Sequence, residues 1–315
     1  MVAGYVVTVW IVVTVVFGLP RALPGDPITA SIQDASAVSP ELRTMMERRY
    51  GLDRPLIEQY GSYLAGLARG DLGESISLRT PVATALKAHL PWTLLLVGTS
   101  LALSSLASFI AGVNAAWRRG SFDDRFSVVT MTGLHAIPDY ALSIILVIGL
   151  AVTVPLFPLG GGAEPFTDDA PLVSRAVDLG YHLVLPAAAL SLSLMATKFL
   201  ILRSAMVSVL GSEYMVAARA KGLSERRLKY RHAGRNALGP FLNLVGIQAG
   251  AAVGAAIFIE AVFDYPGMTS LLLPAIGQLD FPLIDGCFLV LALLVLTANL
   301  VVDLVQSRID PRTAG

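Results

Sequence analysis

Long uncharged apolar blocks alternate with short charged connections in this chain. Six blocks have about the length that a ~30 Å hydrocarbon core demands of a helix rising about 1.5 Å per residue. They run over roughly Val2–Leu19, Trp92–Ala116, Phe126–Val152, Tyr181–Leu202, Asn236–Ile259 and Gly286–Val302. The second is uncharged throughout, and the sixth is short and bracketed by Asp285 and Asp303. This spacing predicts an all-α, polytopic transmembrane bundle of six spans. No basic stretch precedes the first block and no small-x-small cleavage site lies ahead of Pro20, so a retained span is expected rather than a removed leader.

The long connection after the first span carries its own helical signals. Ser39, Pro40 and Glu41 supply an N-cap, a proline at the first helical position and an acid in the first turn. The helix they start should end near Gly51. A second, amphipathic helix is expected over Pro55–Ala68, with Leu56, Tyr60, Tyr63, Leu64 and Leu67 on one face. Gly70-Asp71-Leu72-Gly73 then reads as a turn. The chain divides into a first span (1–19), a helical insertion (20–91), a five-span core (92–310) that includes a polar segment at 213–240, and a tail (311–315).

Composition agrees with a membrane location. Of the 315 residues, 55% are hydrophobic and 15% charged, and mean hydropathy is +0.68; soluble domains carry about a quarter charged residues. Net charge is zero, so a nucleic-acid partner has no electrostatic support. With one cysteine, Cys287, no intrachain disulfide is possible. His89, His135, His182 and His232 are scattered, none pair at i, i+4, and no metal site is expected.

Lysine and arginine in the short connections set the orientation. Arg118, Arg119 and Arg125 follow span two; Arg219, Lys221, Arg226, Arg227, Lys229, Arg231 and Arg235 follow span four; Arg308 and Arg312 follow span six. The connections after spans three and five hold only Arg175 against Glu164, Asp168, Asp169, Asp178, Asp264 and Asp280. Both termini are therefore expected in the cytoplasm and the 20–91 insertion outside. The insertion, with eight basic and eight acidic residues, is too long for the charge rule to constrain.

The most informative stretch runs from Glu213 through Tyr214, Ala217, Ala218, Arg219, Ala220, Lys221, Gly222 and Leu223 to Ser224, Arg226 and Arg227. Helix formers lie on both sides of Gly222, which closes the first helix in a left-handed conformation, and Ser224 is placed to cap the second. The physical reading leaves two roles open: a basic loop obeying the positive-inside rule, or a short helix–turn–helix offered to a partner.

Polar and small residues inside the spans leave similar choices. Gly246, Gly250 and Gly254 at i, i+4, i+8 permit close helix approach, within the subunit or at a subunit interface or pore wall. Asp139 beside Pro138, with Asn243, Gln248 and Asn299, belongs to the expensive intramembrane polar set. These side chains face a cavity, a translocation path or a structural hydrogen bond. Lys198, near a helix end, can snorkel to the surface.

The 213–223 stretch resembles the EAA loop of permease subunits in binding-protein-dependent ABC importers, its glutamate, alanines and glycine standing at Glu213, Ala217, Ala218 and Gly222. Other segments resemble the dipeptide and oligopeptide branch: Leu23-Pro24-Gly25-Asp26-Pro27, Tyr50-Gly51-Leu52-Asp53-Arg54-Pro55, Gln59-Tyr60, Gly70–Ser75, Pro81-Val82, Val262–Met268 and Ile309-Asp310-Pro311-Arg312. The likeness runs in order over nearly the whole length. Two departures are Tyr214, where the motif has alanine, and the lack of basic residues before span one.

The resemblance implies a type I importer permease in the bacterial plasma membrane, pairing with a second homologous permease. Two cytoplasmic ATPases, holding ATP and Mg, would dock on residues 213–227, and an extracytoplasmic solute-binding lipoprotein would deliver peptides. Nickel chelates, glutathione, haem or another small solute are the alternative cargoes. No G-x-x-x-x-G-K-[ST] occurs, so ATP hydrolysis belongs to another chain, and no cofactor or catalytic residue is expected here. A secondary transporter would show matching broken helices in its two halves, and a membrane-embedded enzyme a reactive constellation. Neither pattern is present in the sequence.

Overall fold

A computed structural model describes residues 2–31, 39–164 and 171–309. Asp168, Asp169, Asp310, Pro311, Arg312 and the 311–315 tail lie outside the described residues, as do the side chains of Asp303 and Arg308. In chain order the α-helices are α1 (Val2–Arg21), α2 (Pro27–Ser31), α3 (Pro40–Tyr50), α4 (Leu56–Ala68), α5 (Val82–Trp117), α6 (Phe122–Ala136), α7 (Asp139–Val147), α8 (Leu172–Leu210), α9 (Glu213–Ala220), α10 (Leu238–Val262), α11 (Thr269–Gly277) and α12 (Phe281–Ile309). Five of them, α1, α5, α8, α10 and α12, are long and apolar enough to cross a membrane.

The third expected span differs from its prediction. Instead of one continuous helix, α6 and α7 meet at a bend of 102°. Pro138 explains the break: it lacks an N–H and forces Ile137 out of the helical region, to φ −86° and ψ 124°. Asp139, expected at mid-span, becomes the first residue of α7. Counted as one broken span, the pair brings the passages to six.

Two compact units are distinguishable. One comprises residues 1–93 and 266–294. Here α3 begins with Ser39 Oγ accepting the Leu42 N–H at 3.2 Å and ends at Gly51, left-handed at φ +67°. The apolar face of α4 is used: Tyr63, Leu64 and Leu67 pack with Val13, Val16 and Leu289, and the Tyr60 hydroxyl meets Thr14 Oγ1 at 2.7 Å. Two acidic residues at the start of the last apolar block, Asp280 and Asp285, are internal. Asp280 is fully buried and accepts Ser75 Oγ at 2.6 Å, Ser77 Oγ at 2.7 Å and Ser77 N–H at 2.9 Å. Asp285 pairs with Arg21 at 2.9 Å.

The second unit comprises residues 94–265 and 295–315, with α8 packed against α6, α7 and α10. A row of buried serines on α5 bonds to α8: Ser108 Oγ donates to Met195 O at 2.9 Å, and Ser104 Oγ receives Lys198 Nζ at 2.6 Å. Lys198 is therefore not a snorkelling residue. It is fully buried, and its ammonium bonds serine hydroxyls on the facing helix, Ser104 and, at 3.2 Å, Ser105. Asp124, at the start of α6, holds Arg203 of α8 in a two-pronged bond, with Nε–Oδ1 at 2.6 Å and Nη2–Oδ2 at 2.7 Å.

Candidate coupling segment and transmembrane cleft

Residues 213–240 fold as helix, glycine turn and helix. Helix α9 ends at Ala220, and Gly222 follows at φ +68° with its N–H bonded to Arg219 O at 2.9 Å. The second arm is wider than an α-helix. It opens at Glu225 and runs as a π-helical segment over Arg227–Gly234. Ser224 does not cap it with its side chain; its backbone carbonyl receives the Leu228 N–H at 2.9 Å.

The inner face of this hairpin is apolar and closed. Met215 and Ala218, three residues apart on α9, join Leu228, Ala233 and Ala237 in one buried cluster with Val113, Leu202, Met206 and Phe241. Ala218 and Leu223, grouped on sequence with the partner-facing set, thus turn inward: Ala218 is 5% exposed and Leu223 packs against the cluster. Helical periodicity, applied to Met215 and Ala218, separates them from Ala217 and Arg219. Three contacts that the sequence does not announce brace the hairpin, one between its arms and two to α5. The Tyr214 hydroxyl meets His232 Nδ1 at 2.6 Å, which gives the aromatic residue after Glu213 a structural use. Lys229 Nζ bonds to Asn114 Oδ1 of α5, and Arg219 lies 6.0 Å over the Trp117 ring.

The outer face is left free. Glu213, Ala217, Arg219, Ala220, Lys221, Gly222, Ser224, Arg226 and Arg227 are all exposed. Its own chain neighbours apart, no atom of the described residues lies within 4 Å of where a Gly222 Cβ would stand. A side chain there meets only its own backbone strain, about 1–2 kcal/mol.

The intramembrane polar residues gather around two cavities flanking α10. Asp139 and Gln248 line one of about 650 Å³, with Pro138, His135, Ser193 and Thr197. Gln248 Oε1 and Ser193 Oγ are buried there without a hydrogen-bond partner among the described residues. Asn243 and Asn299 line the other, of about 540 Å³. The bend at Pro138 delivers Asp139 to the first cavity, since an unbroken helix would carry residues 137–139 through hydrogen-bonded turns.

The three glycines of α10 have different surroundings. A Cβ on Gly246 would collide with Val302 Cγ1, and one on Gly250 would lie 3.1 Å from Val295 Cγ1. Around Gly254 nothing stands within 4 Å. No group of three or more potential metal ligands occurs among the described residues.

These features, a membrane bundle with an exposed, internally braced helix–glycine–helix, accord with what the chain is similar to. Residues 104–315 match the family model described as "Binding-protein-dependent transport system inner membrane component", and residues 1–97 match its N-terminal companion. A putative peptide permease protein of Brucella ovis is 36% identical over 299 residues, covering 94% of this chain and 92% of the relative. The di/tripeptide transport system permease protein of Pseudomonas aeruginosa is 34% identical over 310 residues, with coverages of 94% and 92%. The glutathione transport system permease protein of Escherichia coli is 32% identical over 311 residues, covering 98% and 95%. The chain belongs to the family of inner-membrane components of binding-protein-dependent transport systems.

Proposed function

We propose that this chain is one of two homologous permease subunits forming the pore of a peptide importer, driven by two cytoplasmic ATPases and fed by an extracytoplasmic binding protein. Cargo follows from the names of the relatives, most of which are dipeptide, di/tripeptide or oligopeptide permeases. The glutathione relative supports that solute as a second reading. In the orientation read from loop charge, the 213–235 hairpin faces the cytoplasm and the 20–91 insertion faces outward. ATP and Mg would belong to the partner ATPases, since the sequence has no G-x-x-x-x-G-K-[ST] motif.

The observation that carries the mechanism is the two-faced hairpin. Its inner face is locked by Met215, Ala218 and Leu228 into one cluster with α5, α8 and α10, while its outer face is exposed and basic. A push on the outer face would therefore reach the spans as rigid-body displacement rather than being absorbed by loop bending. The chain performs no covalent step. It has two arrangements whose relative free energy depends on its partners' nucleotide state. Asp139, Asn243, Gln248 and Asn299 would supply polar lining to the path that opens.

Gly222 is the decisive test. Since a Cβ at this position meets nothing among the described residues beyond its chain neighbours, Gly222→Asp should leave the subunit folded and assembled. Substrate-stimulated ATP hydrolysis and peptide uptake by the reconstituted complex should fall at least tenfold. Neutralising Arg226, Arg227 and Lys229 should do less harm. Normal ATPase association and normal stimulation in the Gly222 variant would overturn the coupling role.

A further inference from the structure

The 20–91 insertion contains a cavity of about 310 Å³ that neither coupling nor translocation uses. Four arginines, Arg21, Arg48, Arg49 and Arg54, line it together with Tyr63 and Asp285. Two of the four are committed: Arg21 pairs with Asp285 at 2.9 Å, and Arg49 with Glu74 at 2.8 Å. Arg48 and Arg54 make no side-chain hydrogen bond or ion pair among the described residues. The cavity thus offers two uncommitted guanidiniums, the side chain best matched to a carboxylate or phosphate.

Two polar atoms in the same wall are unmet. The Tyr63 hydroxyl and Asp285 Oδ1 are buried and have no hydrogen-bond partner among the described residues, and Asp285 as a whole is 3% exposed. Leaving such groups unpaired in the dry interior is unfavourable. The first can donate to an anion, and the second can bond a hydroxyl. A ligand that answers both carries a negative oxygen and a hydroxyl close together.

Position favours a lipid as the source. Arg21 is the last residue of α1, and Asp285 lies in the first turns of α12, so the cavity floor sits where two spans leave the hydrocarbon. Exposed apolar side chains adjoin its lining residues in sequence: Leu19, two residues before Arg21, and Leu56 and Ile57 directly after the Arg54-Pro55 pair, Ile57 being 76% exposed. Acyl chains can run along these residues while the phosphate enters among the arginines. Arginine guanidiniums hold a phosphate through charge-assisted, two-pronged bonds.

We propose that this cavity holds the glycerophosphate headgroup of an anionic phospholipid, with Arg48, Arg54 and the Tyr63 hydroxyl on the phosphate and Asp285 Oδ1 on a glycerol hydroxyl. The test uses the assembled transporter in nanodiscs of phosphatidylcholine alone or of an equimolar mixture with phosphatidylglycerol. Lipid retained after extraction into detergent is counted by native mass spectrometry. Phosphatidylglycerol should be retained about tenfold over phosphatidylcholine, and Arg48→Gln/Arg54→Gln should remove about that factor, as the loss of charge-assisted bonds predicts. Tyr63→Phe keeps the ring packed and should lower retention severalfold; it decides alone if the double variant does not fold. Equal retention of the two lipids, or retention unaltered by these variants, would overturn the site. So would equal thermal protection by millimolar inorganic phosphate, which would make the ligand a free anion. If the double variant keeps phosphatidylglycerol but loses the binding protein, the arginines serve an acidic protein segment and the lipid assignment fails.

Discussion

Asp124 and Arg203 give the sharpest stability test, since their bond is the charged clasp between α6 and α8. The Asp124 carboxylate is 2% exposed; besides both prongs of Arg203 it accepts the Gly120 N–H at 2.9 Å. Breaking a fully buried pair costs about 3–5 kcal/mol, because the survivor is left charged and dry. Here the survivor would be Arg203, whose side chain is 26% exposed and can regain water, so Asp124→Ala should cost about 2–4 kcal/mol. Asp124→Asn keeps an acceptor for Gly120 N–H and for one prong, and should cost about half of that. Unfolding free energies of Asp124→Ala, Arg203→Ala and the double variant, measured in one lipid composition, close a double-mutant cycle. The double variant should fall short of the summed single losses by more than about 1 kcal/mol. The bond is largely out of water, so raising salt should weaken it little. Additivity within about 0.5 kcal/mol would show that the clasp does not form and refute the reasoning.

Further outcomes follow from the same geometry. Gly246→Val forces Val302 aside and should destabilise the subunit by about 1–3 kcal/mol in the same unfolding assay. Gly254→Ala meets open space and should be neutral or stabilising by about 0.5–1 kcal/mol; a loss of transport without loss of stability would put Gly254 against another subunit. Asp139→Asn should alter uptake while leaving assembly intact, whereas failed assembly, with the site sealed from aqueous probes, would make the residue structural. On a Cys287→Ser background, a cysteine at position 60 should be labelled from outside only; labelling from the cytoplasm alone would invert the proposed topology.

Spans, caps and the hairpin turn could be read from the chain because each depends on neighbours within a few residues. Uncharged length marks a helix that can cross a bilayer whatever it later packs against. Ser39-Pro40 and Gly51 fix the ends of α3, and Gly222 takes its left-handed turn, through backbone sterics that act locally. Even the α6–α7 break was latent in Pro138, although its 102° angle was not, because a proline removes a bond without dictating where the helix goes next. The partners of polar groups were of another kind. Lys198 looked like a snorkelling residue and Asp280 like a surface charge, yet one is buried against serines of α5 and the other against Ser75 and Ser77, about two hundred positions away. Ala217 and Ala218 differ only in which side of α9 meets the Met215–Leu228 cluster, and Gly246 and Gly254 only in whether Val302 stands opposite. Burial of a charge or the filling of a glycine notch depends on which distant helix arrives there, and that is set by packing the whole bundle at once.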